Sequence, residues 1–127
     1  MTKDIVTIEL PEIPPDLNRI VGMLNRNRFV YSSEKKRWKD MMHLLTCGLP
    51  KYTTKIDIYL TCIFPDKRNR DRDNFWACWK FVLDGLACVS DDNSNLVEPH
   101  LNPFQYEKGV RRAFIEIVEH KELEVND

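Results

Sequence analysis

The sequence contains no uninterrupted apolar run of about 18 residues, the length that a membrane-spanning helix requires. Its first residues lack the apolar core of a signal peptide. Both absences predict a cytoplasmic protein with no membrane partner. The 127 residues show no internal repeat and no linker, and this length is enough for one hydrophobic core, so a single domain is expected over residues 1–127.

The cysteines show no Cys-x-x-Cys spacing, and no pair of histidines accompanies them. A structural zinc site needs such paired ligands, and a disulfide scaffold is typical of small secreted domains. We therefore expect reduced and mostly buried thiols. They are Cys47, Cys62, Cys78 and Cys88.

The net charge of −1 at pH 7 does not by itself indicate a nucleic-acid partner, but the charge is unevenly distributed. From residue 116 onward five acidic residues accompany one lysine, a local charge of −4, so the rest of the chain carries +3. Three basic groups are typical either of a phosphate-binding surface or of ordinary solvated charge. They are Arg19, Arg26 and Arg28; Lys35, Lys36, Arg37 and Lys39; and Lys67, Arg68, Arg70 and Arg72.

Alternating apolar and polar side chains predict strands over residues 4–10 and 54–64, and a short strand is expected near residues 96–98. A strand is predicted over residues 109–118. Both of its faces carry apolar and charged side chains, which favours a central strand or one at a dimer contact. Between the first two strands, the sequence predicts a stiff connection at residues 13–19 and an irregular segment at 25–31.

A helix is predicted over residues 33–47, with a serine cap at its start and Gly48 at its end. A second helix is predicted over residues 73–86. Its apolar residues recur along one face, which favours core packing over a base-stacking surface. Asp73 and Lys80 are expected on the opposite face, where Lys80 either serves a site or forms a surface pair with Asp84.

Two acidic pairs bracket the second helix. Asp71 and Asp73 alternate with arginines at its start, and Asp91 and Asp92 follow its end. Converging carboxylates repel each other, so such a cluster usually holds a divalent cation. The arginines indicate an anionic substrate, and the combination predicts phosphate chemistry. Taken alone, residues 91–95 are also typical of an ordinary turn.

The order of these motifs resembles the RusA family of Holliday junction resolvases, found mostly in bacteriophages and prophages. The resemblance covers residues 5–118. It implies an α/β (α+β) fold with a small mixed sheet, two main helices and an intertwined homodimer. The segments that carry it are Pro14-Pro15…Asn18-Arg19, Asp71-Arg72-Asp73-Asn74, Lys80-x-x-x-Asp84-x-Leu86 and Asp91-Asp92.

The resemblance implies an endonuclease that cuts four-way DNA junctions with Mg²⁺, or with Mn²⁺ in its place. By motif position Asp71, Asp73, Asp91 and Asp92 are expected metal ligands, and Asp71, Asp73, Asp92 and Lys80 are the expected catalytic residues. DNA contacts are expected from Arg19, Lys35, Lys36, Lys39, Arg68, Arg70 and Arg72.

Lys80 stands seven residues after Asp73, whereas the family lysine is expected after four. This displacement favours an alternative, a catalytically weak or inactive protein that binds branched DNA with the same fold. A metal nuclease for flaps or forks is a second alternative. A third is a structural or regulatory phage protein that uses its aromatic helix and its acidic tail, expected to be frayed from about residue 119.

Overall fold

The computed structural model describes residues 5–89 and 96–119. The predicted ligands Asp91 and Asp92 and the predicted tail from residue 120 lie outside the described residues. The elements are β1 (Val6–Leu10), α1 (Leu17–Arg26), α2 (Arg28–Thr46), β2 (Ile56–Phe64), α3 (Arg72–Phe75), a 3₁₀ turn (Trp76–Cys78), α4 (Trp79–Leu83), β3 (Val97–Leu101), β4 (Gln105–Tyr106) and β5 (Arg112–Glu119).

The strands form one mixed sheet in the order β1-β5-β2-β3, with the short β4 also paired to β2. β5 is antiparallel to both of its neighbours, whereas β3 and β4 run parallel to β2. In register, Ile117 of β5 lies between Val6 and Ile58. The mixed α/β fold is therefore confirmed, and so is the central position predicted for the last strand.

The hydrophobic core lies between one face of the sheet and the helices. Alternate residues of β5 and of the first half of β2 are buried there because successive side chains of a strand point to opposite faces, and all of residues 60–64 at the end of β2 are buried. The apolar stripes predicted for the two helices join this core, with Trp38, Met42 and Val82 fully buried. Three of the four cysteines are buried and all four are free thiols, as expected.

The connection predicted between the first two strands is wrong, because it is largely helical. The Asp16 Oδ1 atom accepts a hydrogen bond from the Arg19 backbone N–H at 2.9 Å and caps α1. The Asn27 side chain accepts from the Phe29 N–H at 2.8 Å, and α2 begins five residues earlier than expected. Both caps satisfy N–H groups that have no partner inside a helix. None of the described helices is long and apolar enough to cross a membrane.

The second predicted helix is divided into α3, the 3₁₀ turn and α4, and it ends at Leu83. A 3₁₀ turn rotates by about 120° per residue, against about 100° in an α-helix. Across its three residues this adds roughly 60° of rotation between Asp73 and Lys80, relative to the uninterrupted helix that was predicted.

Candidate active site

A cavity of about 460 Å³, termed the cleft, opens where β2 ends. Three separate parts of the chain form its walls: the segment leading into α1, the loop between β2 and α3, and the residue before β5. Pairing of β1 and β2 with β5 brings these segments together. Its described polar lining residues are Asp16, Asn18, Arg19, Arg68, Asn69, Arg70, Asp71, Asn74 and Arg111.

The loop that delivers Asp71 is held by a network centred on Asp66. The Asp66 carboxylate accepts from the Arg68 backbone N–H at 3.0 Å and from the Arg70 guanidinium at 2.9 Å. These two hydrogen bonds hold the pKa of Asp66 below its usual range, with the backbone donor contributing most. Arg70 also donates to two loop carbonyls and lies 3.9 Å from the centre of the Phe64 ring. The loop is therefore anchored to the end of β2.

Asp71 caps α3 and also lines the cleft. Its Oδ1 atom accepts from the Asp73 N–H at 2.9 Å and its backbone carbonyl accepts from the Phe75 N–H at 3.1 Å, so Asp71 caps α3. The structure brings Asp71 into the cleft. Asp73 is exposed and is not among the described residues that line the cleft.

Asp16 is a second carboxylate in the cleft, and the sequence reasoning missed it. It is half-buried at the start of α1, where it caps the helix. The signal that could have found it is a helix-capping aspartate directly after Pro14-Pro15 and before the amphipathic residues of α1. The cleft therefore holds two carboxylates and three asparagine amides.

These oxygen atoms are the kind of ligand that Mg²⁺ prefers. This ion usually binds one or two protein carboxylates and keeps water or substrate phosphate as its other ligands. Within residues 5–89 and 96–119, no group of three or more His, Cys, Asp or Glu side chains is arranged to hold a metal ion. The two carboxylates and three asparagine amides of the cleft are donors of the chemical type that could hold Mg²⁺.

Four arginines line the cleft against two aspartates, which makes its described lining positively charged. Arg19 and Arg68 were predicted to contact DNA. Arg111 was not, because it fell inside the strand predicted over residues 109–118, whose pattern indicated only its position in the sheet. Arg72, also predicted, instead donates from its guanidinium to the Leu101 carbonyl and so ties α3 to β3.

No family model and no curated protein matches this chain. The assignment of a function therefore depends on the cleft and on the order of the sequence motifs. Both the cleft and the sequence motifs place carboxylates among arginines.

The lysines predicted to bind DNA do not line the cleft. Lys35 lies 3.7 Å from Asp84, across the contact between α2 and α4. Lys39 lines a second cavity, of about 680 Å³, and no described lining residue is common to the two cavities. Lys36 and Lys80 are exposed and stand outside the described lining of the cleft.

Proposed function

We propose that the protein is a Mg²⁺-dependent endonuclease that resolves four-way DNA junctions by paired phosphodiester hydrolysis. The observation that supports this function is a single cleft in which Asp16 and Asp71 lie among arginines. Carboxylates alone would repel a phosphodiester, but the four arginines give the described lining of the cleft a net positive charge that attracts it. The motif order that resembles the RusA family supports the four-way junction as the substrate, over a flap or fork.

Arg19, Arg68 and Arg111 bind the phosphates that flank the scissile bond through charge-assisted hydrogen bonds. Asp71 contributes a carboxylate to the cleft, and the hydrogen bond that its Oδ1 atom accepts from the Asp73 N–H fixes the position of this side chain at the start of α3. In this proposal Asp73, Asp91 and Asp92 complete the acidic site. Asp16 and Asp71 would hold Mg²⁺, or Mn²⁺ in its place, and the ion would supply activation of water and neutralisation of charge on the phosphate.

Lys80 is proposed to stabilise the charge that develops on the phosphate, a role that requires its long side chain to reach the substrate from α4. Two copies of the chain would supply two clefts, which would match the two-fold symmetry of a junction and allow paired cuts. The proposed setting is the cytoplasm of a bacterial cell that carries a phage or prophage.

The test uses the purified protein with a labelled, immobile four-way junction and a linear duplex of matched sequence, in Mg²⁺ or EDTA. We expect symmetric nicks in the junction only, and only with Mg²⁺. Cutting that persists in EDTA, or equal cutting of the duplex, would contradict the proposal.

The matched variants are Asp71→Asn and Asp40→Asn. Asparagine caps a helix about as well as aspartate, so Asp71→Asn keeps α3 while it removes the charge. We expect it to abolish cutting and to retain junction binding. Asp40 is an exposed aspartate that lines the second cavity, so its substitution should leave cutting unchanged.

The second candidate function is a junction-binding protein without catalysis. The position of Lys80 outside the described lining of the cleft favours it. Tight junction binding without cuts in either Mg²⁺ or Mn²⁺ would select this function over the first.

A further inference from the structure

Trp76 is an exposed tryptophan in the 3₁₀ turn that directly follows the cleft residue Phe75. Of the three tryptophans in the chain, Trp38 is completely buried and Trp79 is 4% exposed, whereas Trp76 is 47% exposed. An indole ring carries a large apolar area that folding usually buries. Its exposure leaves about half of the Trp76 side chain available for contact with a partner.

The ring of Trp76 packs against a buried ring, and Trp76 follows two residues that line the cleft. It makes an edge contact with the buried Trp79 ring, with centroids 6.1 Å apart. Trp76 directly follows Asn74 and Phe75, which both line the cleft. Helix α1 contacts both α3 and the 3₁₀ turn that carries Trp76.

Helix α1 also exposes apolar side chains. Leu17, Val21 and Leu24 recur at helical spacing, and each is between 41% and 48% exposed. The apolar side chains of α1 and the indole therefore belong to two elements that pack together beside a cleft with an excess of arginines. That excess of positive charge favours a polyanionic partner over an apolar protein face.

We propose that Trp76 stacks on a base exposed at the branch point of the DNA junction. This inference depends on the proposed function, because the cleft must hold a phosphate of the same strand. Trp76 is five positions after Asp71, which is roughly 8 Å of helical rise, or about two nucleotide steps along a strand.

The physical basis is the difference between a branch point and a linear duplex. In a duplex both faces of each internal base pair are covered by its neighbours, whereas the crossover of a junction interrupts this stacking. Aromatic side chains beside a positively charged groove hold exposed bases without reading their sequence. Trp76 would thus select branched over linear DNA, while the arginines bind both.

The first measurement is equilibrium binding to a junction and to a matched duplex by fluorescence anisotropy in EDTA, where no cutting occurs. We expect Trp76→Ala to weaken junction binding by roughly 5- to 150-fold, the range measured for loss of one stacked base, and to leave duplex binding unchanged. The control is Phe29→Ala, an aromatic side chain that is 78% exposed just beyond the far end of α1, about 15 Å of helix away from Asp16. It should change neither affinity.

The second measurement places abasic sites at the branch point. Removing the stacked base should weaken junction binding by the wild-type protein as much as Trp76→Ala does. The two changes combined should reduce the affinity no more than either change alone. Additive losses would overturn the inference, as would an equal loss of affinity for junction and duplex. A change in the sedimentation mass of Trp76→Ala would assign Trp76 to a contact between copies of the chain and would also overturn it.

These outcomes are separable from those of the proposed function. A wild-type protein that binds and cuts junctions while Trp76→Ala behaves identically would leave the nuclease standing and remove the stacking role. A wild-type protein that does not bind the junction would remove both.

Discussion

The arginines near the cleft differ in whether their guanidinium groups already donate hydrogen bonds within the protein. Arg70 binds Asp66 and the loop carbonyls, and Arg72 donates to a carbonyl of β3. Arg19, Arg68 and Arg111 have no side-chain hydrogen bond to any of the residues that the structure describes. We therefore expect Arg19, Arg68 and Arg111 to contact phosphates. Arg70 and Arg72 are expected to stabilise the loop.

Arg111 and Arg112 form a matched pair for testing this division. Arg111 lines the cleft, whereas Arg112 is bound to Glu9, with an N–O distance of 2.7 Å. We expect Arg111→Ala to weaken DNA binding about tenfold and to reduce the slope of log affinity against log salt by about 1, because one phosphate contact is lost. Arg112→Ala should leave the slope unchanged. Salt titrations of junction binding measure both, and equal slopes for the two variants would contradict the assignment.

Glu34 makes stability depend on pH in the acidic range. A hydrogen bond from Arg37 is the main cause that lowers the pKa of Glu34 below its ordinary value of 4.5. A carboxylate with a lowered pKa contributes stability that is complete above the ordinary value and is lost as the pH falls through the lowered one. We expect the free energy of unfolding to decrease as the pH falls below the ordinary value of 4.5.

The measurement is urea unfolding across this range, with Glu34→Gln as the variant. The variant should be less stable than the wild-type protein at neutral pH and should approach it at acidic pH. A difference between the two that stays constant with pH would show that the Glu34 charge does not contribute in this way.

Asp16 begins α1 and also faces the cleft, and two substitutions separate these roles. Asp16→Asn keeps a good cap and should keep the stability, whereas Asp16→Ala should cost about 1 kcal/mol. We expect both to reduce Mg²⁺-dependent cutting, because both remove the carboxylate. Normal cutting by Asp16→Asn, with destabilisation only in Asp16→Ala, would reduce Asp16 to a helix cap.

The close approach of the chain after α4 to α2 depends on Gly85. A Cβ at this position would meet the Lys39 carbonyl oxygen and would lie 2.8 Å from the Met42 Cβ. We expect Gly85→Ala to lower the free energy of unfolding by about 1–3 kcal/mol, as in overpacked cores. Gly22 is the matched control, because a Cβ there meets nothing within 4 Å and alanine favours the interior of α1 by up to about 1 kcal/mol. Thermal and urea unfolding measure both, and a neutral Gly85→Ala would contradict this packing.

One chain contains one such cleft among its described residues, so paired cuts require two copies to act on one junction. Mixing the wild-type protein with an excess of Asp71→Asn should form dimers with a single active cleft. We expect nicked junctions to accumulate in place of fully resolved products, which denaturing and native gels distinguish. Resolution that declines in proportion to the wild-type fraction, with no rise in nicked product, would contradict the paired mechanism.

Strands β1, β2 and β5 and the core were predictable because they depend on short periods in the sequence, whereas β3 is longer than predicted and β4 was not predicted. Residues 54–64 alternate, and β2 occupies Ile56–Phe64. The prediction failed at α1, where Pro14 and Pro15 were interpreted as the start of a loop although they lead to the Asp16 cap. It was also incomplete at the 3₁₀ turn, since the pattern of apolar residues does not distinguish a rotation of about 100° from one of about 120° per residue.

The main strands, the buried thiols and four residues of the cleft, Arg19, Arg68, Arg70 and Asp71, were predictable from the sequence, because each prediction depends on side chains close together in the chain. The presence of Asp16 and Arg111 in the same cleft as Asp71, and the anchoring of Arg70 within the loop, are known from the tertiary structure alone. Asp16 and Arg111 are 95 positions apart. Pairing of β1 and β2 with β5 brings them together, and no local pattern records such long-range pairing.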